Sequence, residues 1–304
     1  MGKLAVNLSG MILKNPLIAA SGTYGYGMDY LDFYDVNLLG SFAIKGTTLH
    51  ERKGNPLPRI SEFEGGMLNC VGLQNPGVHD VIQNIFPKLE KIYQGQVLAN
   101  IGGFSIEEYV ECARLFDTQP IVGILELNIS CPNVHGGGIS FGLDIKSACE
   151  VTKAVKKVTH KPLYVKCTPQ CSDLAGMCAA LEKAGADGLV LCNTYLGMRL
   201  DKKSGKPILS NITGGVSGPG IFPQALYKVY EVYKEVQIPI IGCGGVTSAD
   251  DVIEMMSAGA TAVEIGTQNL IDPLCSVKII HELEEKCKEY NIEKISDIVG
   301  RAHR

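Results

Sequence analysis

Cys131 stands where a strand-like run stops. Upstream, Ile124, Leu125, Leu127 and Ile129 are apolar and Asn128 is the polar exception; downstream, Pro132 and Gly136-Gly137-Gly138 prevent regular structure. A cysteine at a strand's carboxyl end, flanked by Asn128 and Asn133 and followed by a glycine loop, predicts a reactive thiol with amide partners and a lid. The competing reading is a buried cysteine acting as a small hydrophobe.

Other polar residues end apolar runs in the same way: Ser21, Lys45, Asn100, Lys166, Asn193 and Thr194. A lone lysine or asparagine at such a place means little. Two lysines, three asparagines and a cysteine at successive run ends are hard to explain as stability alone. Gly244-Gly245 in GCGGV and Gly266-Thr267 in IGT leave backbone N–H groups open to an anion, as in barrels that hold a phosphate between their last two loops. Simple turn glycine is the alternative. Lys45 and Lys166 lie inside the apolar stretches SFAIKG and LYVKCT, and a buried ammonium is costly unless an anion or several acceptors meet it. A flavin offers both, since its ring becomes anionic on reduction and a nearby cation favours that form. A Schiff-base lysine, as in barrel aldolases, competes with this, and Lys166 suits it by position.

These residues need a scaffold that brings strand ends together. Eight near-continuously apolar runs recur at strand length: 17–21, 41–46, 97–103, 124–130, 162–168, 188–194, 239–245 and 262–267. Such runs are expected of strands buried on both faces. Helical patterns lie between them. Val78, Val81, Ile82, Ile85, Phe86, Leu89 and Ile92 form one stripe, and Ile145, Ala148, Val151, Val155 and Val158 another. Ser248 with Asp251 reads as a capping box opening a helix over 248–258, and further helices are expected at 105–117, 171–184, 220–236 and 272–288. Alternation of eight strands with helical segments, seven of them marked by pattern, predicts a (β/α)8 barrel, one domain over 1–304. An open doubly wound sheet would carry a Gly-x-Gly-x-x-Gly turn after the first strand, and GTYGYG has the wrong spacing. Residues 4–15 read as a hairpin about Ser9-Gly10 that could plug the barrel bottom. Two insertions after strand ends, 47–75 and 195–217, are expected to shape or cover the site.

Composition narrows the function classes. Formal net charge is -4 over 304 residues, and no Lys/Arg cluster marks a basic face, so nucleic acid and anionic membrane are poor partners. No apolar run reaches the ~18 residues of a membrane span, and the first residues are too broken for a signal peptide. The 11 cysteines include no CxxC pair, which argues against a zinc knuckle or iron–sulfur site in this chain. They read as reduced thiols in a cytoplasm.

NISCPNVHGGG, ERKGNPLPR, NCVGLQNPG, the strand-end lysines and the terminal GCGG and IGT together resemble class 1 dihydroorotate dehydrogenases, over essentially the whole chain. GLQNPG (72–77), ELNISCPN (126–133) and the cysteine point to the class 1B catalytic subunits. Class 2 enzymes use serine as base and carry an N-terminal extension. The resemblance implies an FMN barrel that oxidises dihydroorotate to orotate. Cys131 is then the base that takes the C5 proton, while hydride passes from C6 to flavin N5. Lys45 touches flavin and substrate. Asn69, Cys70, Val71, Gly72 and Leu73, with Asn128, Asn133, Asn193 and Thr194, hold the substrate. Ser21, Gly46, Asn100, Asn128, Lys166, Cys192 and Gly218 line the flavin, and Gly244, Gly245, Gly266 and Thr267 take its phosphate. Position 192 is commonly aliphatic in the family; a backbone contact would survive Cys192. The resemblance also implies a partner subunit carrying FAD and a [2Fe-2S] cluster that reduces NAD+, in an α2β2 heterotetramer built on a homodimer core. No metal site is expected in this chain.

Other readings stay open at this point. They are a class 1A homodimer using fumarate, a flavin-free phosphate-binding isomerase or aldolase, a dihydropyrimidine dehydrogenase-like domain, and a non-catalytic binding module.

Overall fold

The computed structural model describes residues 2–130 and 138–304. Strands β1 (Val6–Leu8) and β2 (Met11–Leu13) form the expected antiparallel hairpin, turning at Ser9 and Gly10, both with positive φ. Ser9 Oγ lies 3.0 Å from the Tyr164 hydroxyl and donates to the Asp187 carbonyl at 3.1 Å. Both partners lie at the amino ends of barrel strands, so the hairpin sits at the bottom of the barrel.

Strands β3 (Leu17–Ala19) and β4 (Ser41–Phe42) begin the barrel. The first insertion supplies β5 (Ile60–Phe63) and β6 (Gly66–Asn69). The barrel resumes with β7 (Val97–Ile101), β8 (Val122–Asn128), β9 (Leu163–Lys166) and β10 (Gly188–Leu191). The second insertion supplies β11 (Tyr195–Gly197) and β12 (Gly214–Ser217); β13 (Ile240–Cys243) and β14 (Ala262–Ile265) complete the set. Hydrogen-bonded neighbours run β4-β3-β14-β13-β10-β9-β8-β7, all parallel. Bridges from Ala43 to Leu98 and from Thr47 to Ile101 join β4 to β7 and close the ring. Each of the eight apolar runs supplies one barrel strand. Their near-continuous apolarity follows from burial on both faces, inside the barrel and against the outer helices.

The helices begin where polar caps allow. Ser105, Asp144 and Asp173 each accept a backbone N–H of the first turn that follows. Ser248 and Asp251 form the expected capping box of the helix Ala249–Ala258. Two crossovers depart from a regular barrel. Between β3 and β4 the described chain has two 3-10 turns, Met28–Tyr30 and Val36–Leu38, and no α-helix. Gly25 and Gly27 adopt positive φ there, and Tyr24 stacks on Tyr30 at 4.1 Å between ring centroids. Aromatic packing covers the strands in place of a helix. The stripe over 78–92 is helical only from Val78 to Leu89, and it widens into a π-turn over Val81–Ile85. Pro87 has no N–H for the carbonyl four residues earlier, which favours the wider turn just before it.

The two insertions meet. β5, β6, β12 and β11 form one four-stranded antiparallel sheet, in the order β11-β12-β6-β5. The sequence placed both insertions near the site; their pairing into a single sheet was not legible there.

Candidate active site

A cavity of about 1180 Å³, counting its open mouth, lies at the carboxyl ends of the barrel strands. Lys45 and Gly46 reach it after β4, Asn100 from β7, Asn128 from β8 and Lys166 from β9. Cys192, Asn193 and Thr194 follow β10, and Ser21 follows β3. Gly244 and Gly245 after β13, with Gly266 and Thr267 after β14, form one wall. The insertions contribute Asn69, Val71, Gly72 and Leu73, and Gly218 follows β12. Of the strand-end residues expected to converge, all but Cys131 line this cavity. Cys131 and Asn133 lie outside the described residues.

Cys70 does not line this cavity. It is fully buried on the other side of its segment, packed with Leu68 and Leu209, and its Sγ lies 3.8 Å from Ser210 Oγ. Extended backbone sends alternate side chains to opposite faces, so a segment that points Asn69 and Val71 at the cavity turns Cys70 away.

The floor holds a continuous polar network. Asn193 Nδ2 donates to Ser130 Oγ at 2.9 Å, and Ser130 Oγ donates to Asn128 Oδ1 at 3.0 Å. Asn128 Nδ2 donates to Asn100 Oδ1 at 3.3 Å, and Asn100 Nδ2 donates to Glu126 Oε1 at 2.6 Å. Lys166 Nζ reaches the same Glu126 oxygen at 3.1 Å and Glu264 Oε2 at 2.6 Å. Both glutamates are fully buried and Lys166 is 5% exposed. Burial, then the neighbouring Glu264, pushes the Glu126 carboxyl up to about 8. Lys166 stays a cation: burial opposes its charge, but Glu126 and Glu264 hold its pKa well above the ordinary lysine value.

These carboxylates revise the expectation for Lys166. Its charge is met by two residues of this chain and needs no bound anion. The signal was present: ILELNIS and AVEIGT each place a glutamate inside an apolar run, as improbable a burial as that of the lysine itself. Asn128 is not the sole polar member of its strand.

Gly266 and Gly22 leave bare backbone at the cavity edge. A Cβ at Gly266 would meet only Ala20, at 3.7 Å, and one at Gly22 only Lys45 Nζ, at 3.8 Å. Gly244 and Gly245 have φ of +134° and +76°, which side chains rarely adopt. The wall can thus present peptide N–H groups closely to a ligand such as a phosphate. Cys243 lines the cavity beside Lys166, and burial pushes its thiol well above the ordinary range against the pull of the lysine. It is a poor thiolate.

The segment 69–75 is pinned from behind by Asn75, which is 4% exposed. Its Oδ1 accepts the N–H groups of Thr48 at 3.2 Å and Gly77 at 2.9 Å. Its Nδ2 donates to Thr48 Oγ1 at 2.9 Å and to the Leu73 carbonyl at 2.8 Å. Gly72 and Leu73 both have positive φ, so the segment depends on such support. Asn75→Ala should strand two buried N–H donors and lower stability by about 1–3 kcal/mol. Urea unfolding measures this, and an unchanged midpoint would contradict it.

The family model for dihydroorotate dehydrogenase matches residues 3–287. The chain belongs to the dihydroorotate dehydrogenase family. Two members named dihydroorotate dehydrogenase B (NAD(+)), catalytic subunit, are each 51% identical to it over 302 residues. The one from Malacoplasma penetrans aligns with 99% of this chain and 98% of its own length. For Anoxybacillus flavithermus the shares are 99% and 96%. Among solved structures, DHODH from Eimeria tenella in complex with ferulenol aligns at a TM-score of 0.83 and 22% identity, covering 99% of this chain and 89% of that one. That likeness extends the barrel architecture across the dihydroorotate dehydrogenase fold. Among the described residues of this family member, no group of three or more His, Cys, Asp or Glu could hold a metal, and no helix is long and apolar enough to cross a membrane.

Proposed function

We propose that the protein oxidises (S)-dihydroorotate to orotate in UMP biosynthesis. It binds one FMN and passes electrons to NAD+ through a partner subunit carrying FAD and a [2Fe-2S] cluster. The observation that carries this is one cavity lined by the residues the family resemblance assigns to flavin and by Lys45, Asn69, Val71, Gly72, Leu73, Asn128, Asn193 and Thr194 of those it assigns to substrate. Full-length identity of about half to relatives named as NAD(+)-linked catalytic subunits supports the acceptor.

The residues fit a flavin nucleotide. Gly266 leaves bare backbone open beside a phosphate, and Lys166 supplies a fixed positive charge at the cavity floor. FMN, when bound, accepts the hydride. The remaining chemistry belongs to the chain. Cys131 removes the C5 proton, which is acidic because it lies alpha to a carbonyl. Asn69, Asn128, Asn133 and Asn193 suit the planar amide edges of the substrate, since each carboxamide offers both a donor and an acceptor. Asn193 and Asn128 are already oriented by their bonds through Ser130, which lowers the cost of ordering them on binding. Lys45 meets the substrate's negative charge, and the sheet of the two insertions keeps water from the reacting atoms. The ten described cysteines are all free, in keeping with a cytoplasmic site of action.

The partner requirement has a direct test. The purified chain, loaded with FMN, should oxidise dihydroorotate with an artificial dye as acceptor. It should form NADH only after the FAD and iron–sulfur subunit is added, as an α2β2 assembly. NADH formation by this chain alone would contradict the proposed electron route.

A further inference from the structure

Three ionisable groups meet inside the barrel, below the cavity. Glu126 from β8, Lys166 from β9 and Glu264 from β14 are linked by contacts of 3.1 and 2.6 Å, and both glutamates are fully buried. With every group ionised the triad carries one negative charge in a site without water access, an expensive arrangement. The second carboxylate oxygens, Glu126 Oε2 and Glu264 Oε1, are buried with no hydrogen-bond partner. Both carboxyl groups meet the same ammonium, which holds them close together. One proton held by the pair would make the triad neutral and turn one of these oxygens into a donor.

We propose that Glu126 and Glu264 share a single proton, and that this dyad acts through Lys166 as a positioning device for the charge beneath the bound cofactor. Neither glutamate touches the substrate; each acts by fixing the ammonium and setting the net charge around it. Asn100 from β7 holds Glu126 Oε1 at 2.6 Å and Lys166 shares that oxygen, so a proton on Glu126 belongs on its other oxygen, Oε2. The other titratable group facing the dyad is the Cys243 thiol on β13, beside Glu264 and Lys166. It stays neutral and adds no charge. In the protonated dyad the floor is neutral with a cation uppermost in the cavity. When the proton leaves to solvent at alkaline pH, the floor becomes net negative, and any group that gains negative charge above it is disfavoured. Like-charged carboxyls in contact share protons in this way because both cannot ionise cheaply.

The sharing rests on geometry within this chain; its effect on flavin rests on the function proposed above. Two readouts separate them. The first is infrared difference spectroscopy of the FMN-loaded protein between mildly acidic and alkaline pH. The wild type should show the carbonyl stretch of a protonated carboxylic acid, shifted on deuteration and lost at alkaline pH. Glu126→Gln and Glu264→Gln should each abolish it, since either leaves one ionised carboxylate against Lys166. No such band, or a band that survives both substitutions, overturns the proposal. If a variant fails to fold, wild-type protein labelled with carboxyl-¹³C glutamate decides the matter, because the band must then move. The second readout is the flavin midpoint potential against pH. The wild type should fall below Glu126→Gln as pH rises, reaching about a tenfold change in the ratio of reduced to oxidised flavin affinity, or ~30 mV for a two-electron couple. An infrared band with a pH-independent gap in potential would keep the shared proton and overturn its role beneath the cofactor.

Discussion

Cys131→Ala should slow flavin reduction by dihydroorotate by about two to four orders of magnitude, the usual worth of a positioned general base. FMN content and thermal stability should stay as in the wild type. The proton to be removed is weakly acidic, and free cysteine titrates near 8.5, close enough to working pH to act as a base without being fully ionised. Ser130, the preceding residue, is buried and bonded to Asn128 and Asn193, so the chain enters position 131 from a fixed point. Cys131→Ser puts a hydroxyl of far higher pKa in the thiol's place, and its rate should be intermediate and rise with pH. Single-turnover reduction under anaerobic conditions measures both variants. Unchanged reduction in Cys131→Ala would remove the cysteine from the mechanism.

Lys166→Met should cost about 3–5 kcal/mol of folding stability, because it leaves Glu126 and Glu264 buried without their cation. It should also abolish FMN retention through purification. The loss should grow with pH. Burial lifts the Glu126 carboxyl above its ordinary value, so the folded protein keeps a proton that the unfolded chain has released. The associated stability is full at and below the ordinary carboxylate range and is lost as pH rises through the raised value. Lys166→Met combined with Glu126→Gln and Glu264→Gln should recover most of the stability but not the cofactor, since the apolar and amide side chains no longer present a charge. Urea unfolding at two pH values decides. A loss below ~1 kcal/mol that ignores pH would mean that the triad is not the charged unit described here.

The barrel was legible because parallel strands buried on both faces read as continuous apolar runs, and each of the eight became a strand. The cavity wall was legible for a related reason. Once strand ends converge, a polar residue at each end must share a space with the others, and Lys45, Asn100, Asn128, Lys166 and Asn193 do so. What escaped notice depends on distance along the chain. Lys166 and Glu264 are 98 residues apart and meet across the barrel interior, on strands that are not neighbours. Local pattern flags each charge as costly but does not say which charge answers it. The same limit hid the single sheet formed by 60–69 and 195–217, whose pairing is set by register between distant segments. The Cys70 side chain lies off the cavity for a local reason: a motif names consecutive residues, while extended backbone shows only every second side chain to the cavity. The helix-free crossover between β3 and β4 reflects aromatic packing of Tyr24, Tyr30 and Phe42, and no helical period was read there.

The most direct test of the whole account is anaerobic mixing of the purified FMN-loaded chain, without its partner, with dihydroorotate, followed at the visible flavin band. Rapid bleaching is expected, one flavin reduced per chain, with orotate formed in equal amount. A yellow protein that dihydroorotate leaves unbleached would contradict the substrate. A protein that stays colourless after incubation with FMN would contradict the flavin site itself.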